Sequence, residues 1–522
     1  MTILNTGRMH TGRMNRRGFM ATSAGAALAA GLPLQARAEP KRGGHLRAAI
    51  GHGATTDTLN PGTYENSFTT SLSFTIHGHL TEVAQDGSLR AEVAESWEAS
   101  PDAKVWRVKI RNDITFHSGK ALELADVVNS INFHRGENST SAAGPIVAPI
   151  QEITTEGDDT VVFTLDGGNA DFPFILADYH LCICPADGDS IDWQSGDGLG
   201  SYVLKDFNPG VSYSVERRED MWRDGVGWFD SAEIIAIVDQ NARTTALVSG
   251  DVQVADRLDL KTVNLLERRP NIQVNAVAGT QHYTFAMDTR EAPYTDNNVR
   301  MALKYGIDRQ EMVDKILFGY GSVGNDHPIG PNQRFFNEEL EQKTYDPDKA
   351  RYHLKQAGLD SVDVTLSAAE AAFVGAVDAA VLYQSTAAKA GINLTPSREP
   401  NDGYWSDVWM KKDFCAVYWS GRVVEDQMFS TAYQCGASWN DSFWCNERFG
   451  ELLVKARSEL DEDKRREMYY EMQALVSNQG GVVVPMFANW VFGNSTDIAH
   501  TEEMSSNWDV DGMRFVERWW MA

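Results

Sequence analysis

Residues 94–131 read AESWEASPDAKVWRVKIRNDITFHSGKALELADVVNSI, and the spacing of their apolar side chains changes within the segment. Trp106, Val108 and Ile110 alternate with Val105, Arg107 and Lys109, which is the pattern of a strand buried on one face. Ser118-Gly119 marks a turn. From Leu124 the spacing becomes helical: Leu124, Val127, Val128 and Ile131 share a face, and Gly136 supplies a stop. A strand that turns directly into an amphipathic helix points to an α/β fold.

The same alternation recurs on both sides. GGHLRAAIG (43–51) predicts a first strand, and the polar TTDTLNPGTYENSF (55–68) a loop turning at Asn60-Pro61-Gly62. Asp308-Arg309-Gln310-Glu311 is an acidic capping box, opening a helix that carries Met312, Val313, Ile316 and Leu317 and halts at Gly319. In YDPDKARYHLKQAG (345–358), Asp346 caps, Pro347 takes the first helical position and Gly358 ends the helix. Two further helices, Arg448 to Ser458 and Glu462 to Ser477, lead into a strand, GVVVPMF (481–487), with Pro485 near its end. No periodic repeat accompanies the alternation, so mixed sheets are expected.

The chain has 522 residues, too long for one compact core. Residues 15–38, NRRGFMATSAGAALAAGLPLQARA, pair twin arginines Arg16 and Arg17 with a short Gly/Ala-rich apolar run and Ala36-Arg37-Ala38. That predicts a twin-arginine export signal over 1–38. The whole chain has 47 basic and 73 acidic residues; losing five arginines and no acid with the signal leaves 42 against 73, a formal charge of −31. Such a surface argues against nucleic acid and anionic lipid as partners. No cysteine precedes Cys182, so no acylated anchor is expected. Cys435 and Cys445 would close a short loop in an oxidising compartment, a disulfide contributing about 2–3 kcal/mol, and one of the five cysteines must be left over. Cys182-Ile-Cys184 lacks the spacing and the second pair of a zinc knuckle.

Three segments together resemble the dipeptide and oligopeptide branch, family 5, of the extracellular solute-binding proteins of ABC transporters. They are residues 94–131, with Glu95, Trp97, Phe116, His117, Gly119 and Asp126 at characteristic places; GLGSYVLKDFNPGVSYSVERREDMW (198–222); and NNVRMALKYGIDRQEMVDKILFGYG (297–321) followed by 345–358. The resemblance runs from about residue 44 to the end. It implies a bilobal periplasmic-binding-protein fold of the large type II variety, with an extra subdomain, mixed α/β sheets and a ligand cleft between lobes. Residues 39–280 plus 489–522 would form lobe I, of two subdomains, and 281–488 lobe II. The implied role is a monomeric periplasmic protein, not an enzyme, that passes a small solute to ABC permease subunits without a cofactor or membrane anchor. Phe116, His117 and Asp126 are read as structural.

No H-E-x-x-H, G-x-S-x-G or phosphate-cradling loop appears. His77-Gly78-His79 suits a metal only with a third ligand; otherwise the two are surface or turn residues. Between Tyr404 and Trp444 aromatic residues are denser than the 10% average of the chain, which suits a pocket that grips an organic solute. Trp405 and Trp409 are read as a core pair on a helix, and Tyr418, Trp419 and Trp439 as nearer the ligand. In the dipeptide-binding members, the loop after the matching tryptophan carries an aspartate for the ligand's ammonium; this chain has Arg422 there. The carboxylate-binding arginine of those members falls, by the same comparison, on Glu370. Both charges are inverted, so the expected ligand carries an acidic group: a peptide-like, opine-like or other amino-acid-derived solute. An internal ion pair of Arg422 with Glu425, Asp426 or Glu370 is the competing reading of that residue. Relatives with two similarly spaced cysteines also support the Cys435–Cys445 bond. A nickel or metallophore receptor using His77 and His79, and a periplasmic hydrolase on the same scaffold, are the alternative functions.

Overall fold

The computed structural model describes residues 39–137 and 139–522; the export signal expected at 1–38 lies outside them. Its centre is a pair of long antiparallel strands, Ile272–Met287 and Val482–Ser495. They lie in the middle of an eleven-stranded mixed sheet. From one edge the strands run Tyr202–Asn208, Ser212–Arg217, Ser231–Ala236, His45–Ile50 and Val254–Ala255; after the long pair come Phe414–Trp419, Val362–Ala368 and Ile392–Arg398. Parallel pairing occurs on both sides, between His45–Ile50 and Ser231–Ala236 and between Val362–Ala368 and Ile392–Arg398.

The ladder between the long strands is interrupted once near its middle. It runs from Ile272 opposite Ser495 to Ala278 opposite Asn489, then resumes at His282 opposite Phe487. Gly279, Thr280 and Gln281 therefore face Ala488 alone, a bulge that bends and twists the ribbon. Glycine is required at 279 because a Cβ there would come within 2.5 Å of the Ala488 carbonyl oxygen. A second irregularity, between Tyr283 and Phe285, accommodates Pro485. The strand expected over residues 481–487 instead runs eight residues further, to Ser495, since a residue without an N–H is tolerated where the ladder already slips.

The three largest apolar cores among the described residues divide along the chain. One is built from residues between Phe285 and Phe487. A second lies between Leu80 and Leu199. The third combines residues from Leu46 to Val254 with the C-terminal stretch from Phe492 to Trp519. The second contains the antiparallel strands Ala94–Ala99 and Val105–Ile110 and the helix Leu124–Asn132, as the opening segment predicts. There Phe116 is packed inside, His117 Nε2 bonds the Gly200 carbonyl at 3.0 Å, and Asp126 accepts from the backbone N–H of Glu123 and of Ala186. The capped helices also form: Asp308 accepts from Glu311 N over Arg309–Ile316, and Asp346 from Lys349 N over Pro347–Gln356.

A buried ion network fastens the C-terminal segment to the front of the chain. Arg514 contacts Glu92 at 3.0 Å and Glu517 at 2.7 Å, Arg518 contacts Glu82 at 2.7 Å, and Arg223 reaches Glu82 and Glu92. The three arginines together hold the Glu82 carboxyl well below the usual carboxylate range, against the opposing effect of burial. Cys435 and Cys445 are bonded, with Cα atoms 4.6 Å apart. Cys182, Cys184 and Cys415 stay free and buried, so three thiols are left over rather than one.

Removing one cation from that network strands carboxylates in a dry interior, which typically costs about 3–5 kcal/mol. Arg514→Met is therefore expected to lower unfolding free energy by several kcal/mol in urea titration at pH 7. A loss below about 1 kcal/mol, the range of an exposed pair, would contradict this.

Candidate functional site

Where the ladder is interrupted, the first and third parts of the molecule face each other across open space. One cavity of about 470 Å³ is lined on one side by His52, Glu65, Tyr179, Arg257 and Asp509 and on the other by Tyr283, Glu370, Phe373, Tyr418 and Ser420. A second, of about 610 Å³, meets it at Asn507 and includes Trp97, Phe174, Arg334, Arg422 and Glu425. A groove of about 300 Å³ formed by Trp405, Trp409, Tyr418, Trp419, Arg422 and Trp439 shares Tyr418 with the first and Arg422 with the second. Arg422, Tyr418, Trp419 and Trp439 are thus brought together, and Glu370 stands in the chamber that shares Tyr418.

Local geometry explains the placement. The strand Phe414–Trp419 pairs with the long strand so that Trp419 lies opposite His282 and Tyr418 opposite Tyr283. Its pleat sends successive side chains to opposite faces. Tyr418 consequently faces out, while Trp419, expected as a ligand wall, is only 5% exposed. Trp405, expected in the core, is 39% exposed and packs edge-on against Tyr418 at 5.5 Å. Its helix, Tyr404–Asp407, is one turn long, so Tyr404 rather than the i,i+4 tryptophan pair enters the core. Trp409 is half-buried beneath Trp439, which is 49% exposed.

Gly421 carries the chain past Thr280 so closely that a Cβ would sit 1.5 Å from its Oγ1. The bulge on the long strand and the loop bearing Arg422 are therefore fitted to each other. Arg422 Nη1 donates to the carbonyls of Ser420 and Gly421, both at 3.1 Å. Among the described residues no carboxylate lies within ion-pair distance of it. Each acid considered as its internal partner is engaged elsewhere: Glu425 accepts from Phe335 N at 2.9 Å, Asp426 pairs with Arg457 at 3.0 Å, and Glu370 accepts from Gly375 N at 2.7 Å. Burial lowers the guanidinium pKa, and Tyr179 across the cavity partly opposes that. A half-sequestered cation without a counter-ion is poised for an anion.

The opposite wall carries groups that sequence patterns did not mark. Arg257 lies 3.7 Å from Asp509, whose carboxyl is pushed up to about 7 by burial and then by Asp256. Burial, Arg257 and Arg243 depress His52 to about 4, so it is neutral at pH 7. Glu65 is exposed on this wall. These residues come from separate loops, and no local spacing links them. His77 and His79, by contrast, are buried and line none of these cavities. Gly198 and Gly200 pack directly against the His77 backbone and its neighbour, which corrects the reading of the pair as surface or turn residues and removes these two histidines as ligands for nickel in the cleft.

The sequence pattern of the bacterial extracellular solute-binding proteins, family 5 (middle), matches residues 88–441. The chain is 25% identical over 452 residues to di/tripeptide-binding protein 1 of Pseudomonas aeruginosa, covering 79% of this chain and 84% of that protein. It is 24% identical over 444 residues to the glutathione-binding protein GsiB of Pectobacterium atrosepticum, covering 82% and 85%. In fold it is similar to the periplasmic binding protein AgaA, solved with agropinic acid, from A. tumefaciens R10, with a TM-score of 0.72, 21% identity and coverage of 92% and 99%.

Two outcomes follow from the groove. Asp441, buried below it, accepts from Trp409 Nε1 at 3.2 Å and is pushed up to about 7 by burial. A raised folded pKa favours the protonated form, so this carboxyl's contribution is fully present below about pH 4 and is lost as pH rises to about 7, a change of roughly 4 kcal/mol. Asp441→Asn keeps the acceptor and is expected to gain stability over wild type at pH 8 but little at pH 4; an equal difference at both would contradict the assignment. Gly421→Ala is expected to lower the melting temperature and weaken solute binding, because either Thr280 or the Arg422 loop must move; an unperturbed melting curve would contradict the close fit.

Proposed function

This chain belongs to the bacterial extracellular solute-binding proteins, family 5, and acts as a solute-binding protein for ABC import; on that footing we propose that its ligand is a small amino-acid-derived acid, peptide-like or opine-like. The observation that carries this reading is Arg422, half-buried at the cleft with no carboxylate partner. A carboxylate, phosphate or sulfonate of the ligand would complete it, and such a charge-assisted pair contributes roughly 1.5–3 kcal/mol. Glu370 and Glu65, exposed in the adjoining chamber, suit an ammonium on the same ligand, so a zwitterion fits better than a simple diacid. The exposed rings of Trp405, Tyr418 and Trp439 offer apolar area for a side chain or sugar ring. The relatives named for di/tripeptides and glutathione, and the one solved with agropinic acid, are in keeping with a ligand of this class.

The mechanism is capture by closure. Residues 39–280 with 489–522 would act as lobe I and 281–488 as lobe II, joined by the two long strands at their interrupted ladder. The division of the apolar cores and the bulge at 279–281 support that assignment. Ligand favours the closed state only by contacts it makes across both lobes. Arg422 from one side and Tyr179 from the other are placed to supply them. The bound solute would leave unchanged, with no covalent step, and the chain would work as an unanchored monomer beyond the inner membrane after export by its twin-arginine signal. Among the described residues no helix is long and apolar enough to cross a membrane.

A thermal-shift screen of acidic, zwitterionic, neutral and cationic peptides, opines, organic acids and nickel chelates tests the reading. A true ligand at 100 times its Kd adds about 2.7 kcal/mol of stability. Stabilisation is expected from solutes bearing an anionic group, and Arg422→Ala is expected to weaken their binding by about tenfold or more, the equivalent of 1.4 kcal/mol. Stabilisation by neutral or cationic solutes alone, or equal affinity in the variant, would overturn it.

A further inference from the structure

Away from the cleft, three potential ligand atoms of His77, Cys182 and Cys184 lie within 4.8 Å of one another, all buried. None of the three residues lines the cavities of the solute site. We propose that they form a structural site for one soft, thiophilic metal ion, cuprous copper, which accepts three ligands where structural zinc takes four.

The backbone explains the convergence. Ile183 N donates to the Gly78 carbonyl at 2.9 Å in an isolated antiparallel bridge. In such a pair His77 faces Cys184, and Cys182 projects from the same face two residues along. The helix Leu124–Asn132 steadies the second thiol: Ser130 Oγ accepts from Cys184 N at 3.0 Å and also approaches the Cys184 carbonyl at 3.3 Å. His79 is turned aside by Ser73 Oγ, 3.3 Å from its Nε2.

The imidazole itself points to a missing partner. Both ring nitrogens of His77 are buried without a hydrogen bond, although a neutral imidazole has one donor and one acceptor to satisfy. Gly198 lies against Nδ1, where a Cβ would come within 2.8 Å, so the ring has little freedom to seek another contact. Metal–sulfur and metal–nitrogen bonds of about 2.3 and 2.0 Å place the ligands of a trigonal site roughly 3.7–4.0 Å apart, a contraction of at most about 1.1 Å from the present 4.8 Å limit. Two thiolates and one imidazole select a soft ion. Because the site is closed to solvent, the metal must enter before this part of the chain finishes folding.

The test is to denature the purified full-length mature chain, refold it with one equivalent of Cu(I) or, separately, Zn(II) under mild reductant, desalt it and measure metal by mass spectrometry. Retention of about one ion per chain is expected in the Cu(I) arm and little in the Zn(II) arm, with copper falling to about a tenth or less in Cys182→Ser/Cys184→Ser. His77→Ala is expected to weaken retention against a competing chelator, while Cys435→Ser/Cys445→Ser should retain metal like wild type. The solute-induced thermal shift of the Cys182/Cys184 variant should persist, which separates this site from the solute site. No retained copper, copper retention that is unchanged in the Cys182/Cys184 variant, or a Cys182–Cys184 disulfide in the freshly isolated protein would overturn the proposal.

Discussion

Everything about the binding site depends on two strands that are hydrogen-bonded to each other where they pass between the apolar cores. Ile272–Met287 and Val482–Ser495 pair along most of their length, with one wide bulge at residues 279–281 and a smaller slip between Tyr283 and Phe285 where Pro485 sits. A paired ribbon resists shear but can bend and twist where the ladder is broken. That combination keeps the two walls of the cleft in register while leaving one soft place between them. Gly279 makes the bulge sterically possible, and Gly421 lets the neighbouring loop lie against it.

The chemistry of the cleft follows from how charges are divided around that point. Most buried charges in this chain are matched, as in the Arg514, Glu92 and Glu517 cluster or the Asp171 carboxylate held by Arg334 and Arg465. Arg422 departs from this rule: its hydrogen bonds go to two backbone carbonyls of its own loop. A carbonyl relieves part of the desolvation of a guanidinium but does not neutralise it. An anionic solute would do so in the closed state and would be lost again on opening. Family resemblance alone suggests a dipeptide held by charges of the opposite sign at these positions; on the proposed reading, the identity of two residues would change the ligand without changing the fold.

Much of the fold was legible because its signals are local. Asp308 and Asp346 cap the helices they were expected to cap, and Trp106, Val108 and Ile110 point inward as their alternation requires. The strand through Pro485 is expected only as far as Phe487, whereas its continuation to Ser495 and the slip that admits the proline depend on a partner strand about two hundred residues earlier in the chain. The aromatic region is legible in place but partly inside out: a one-turn helix has no face on which i,i+4 spacing can act, and the pleat of the following strand exposes Tyr418 but buries Trp419, both expected near the ligand. The far wall, with Glu65, Tyr179 and Arg257, has no sequence pattern because only tertiary structure assembles it.

The central claim is that an anionic solute closes the two halves about this ribbon by completing Arg422. Small-angle X-ray scattering, recorded as the protein is titrated with the acidic solute that stabilises it most, tests that claim directly. The account predicts a radius of gyration that falls on saturation in the wild type and that needs about tenfold or more solute to fall in Arg422→Ala. A saturated wild type whose scattering profile matches that of the free protein would contradict it.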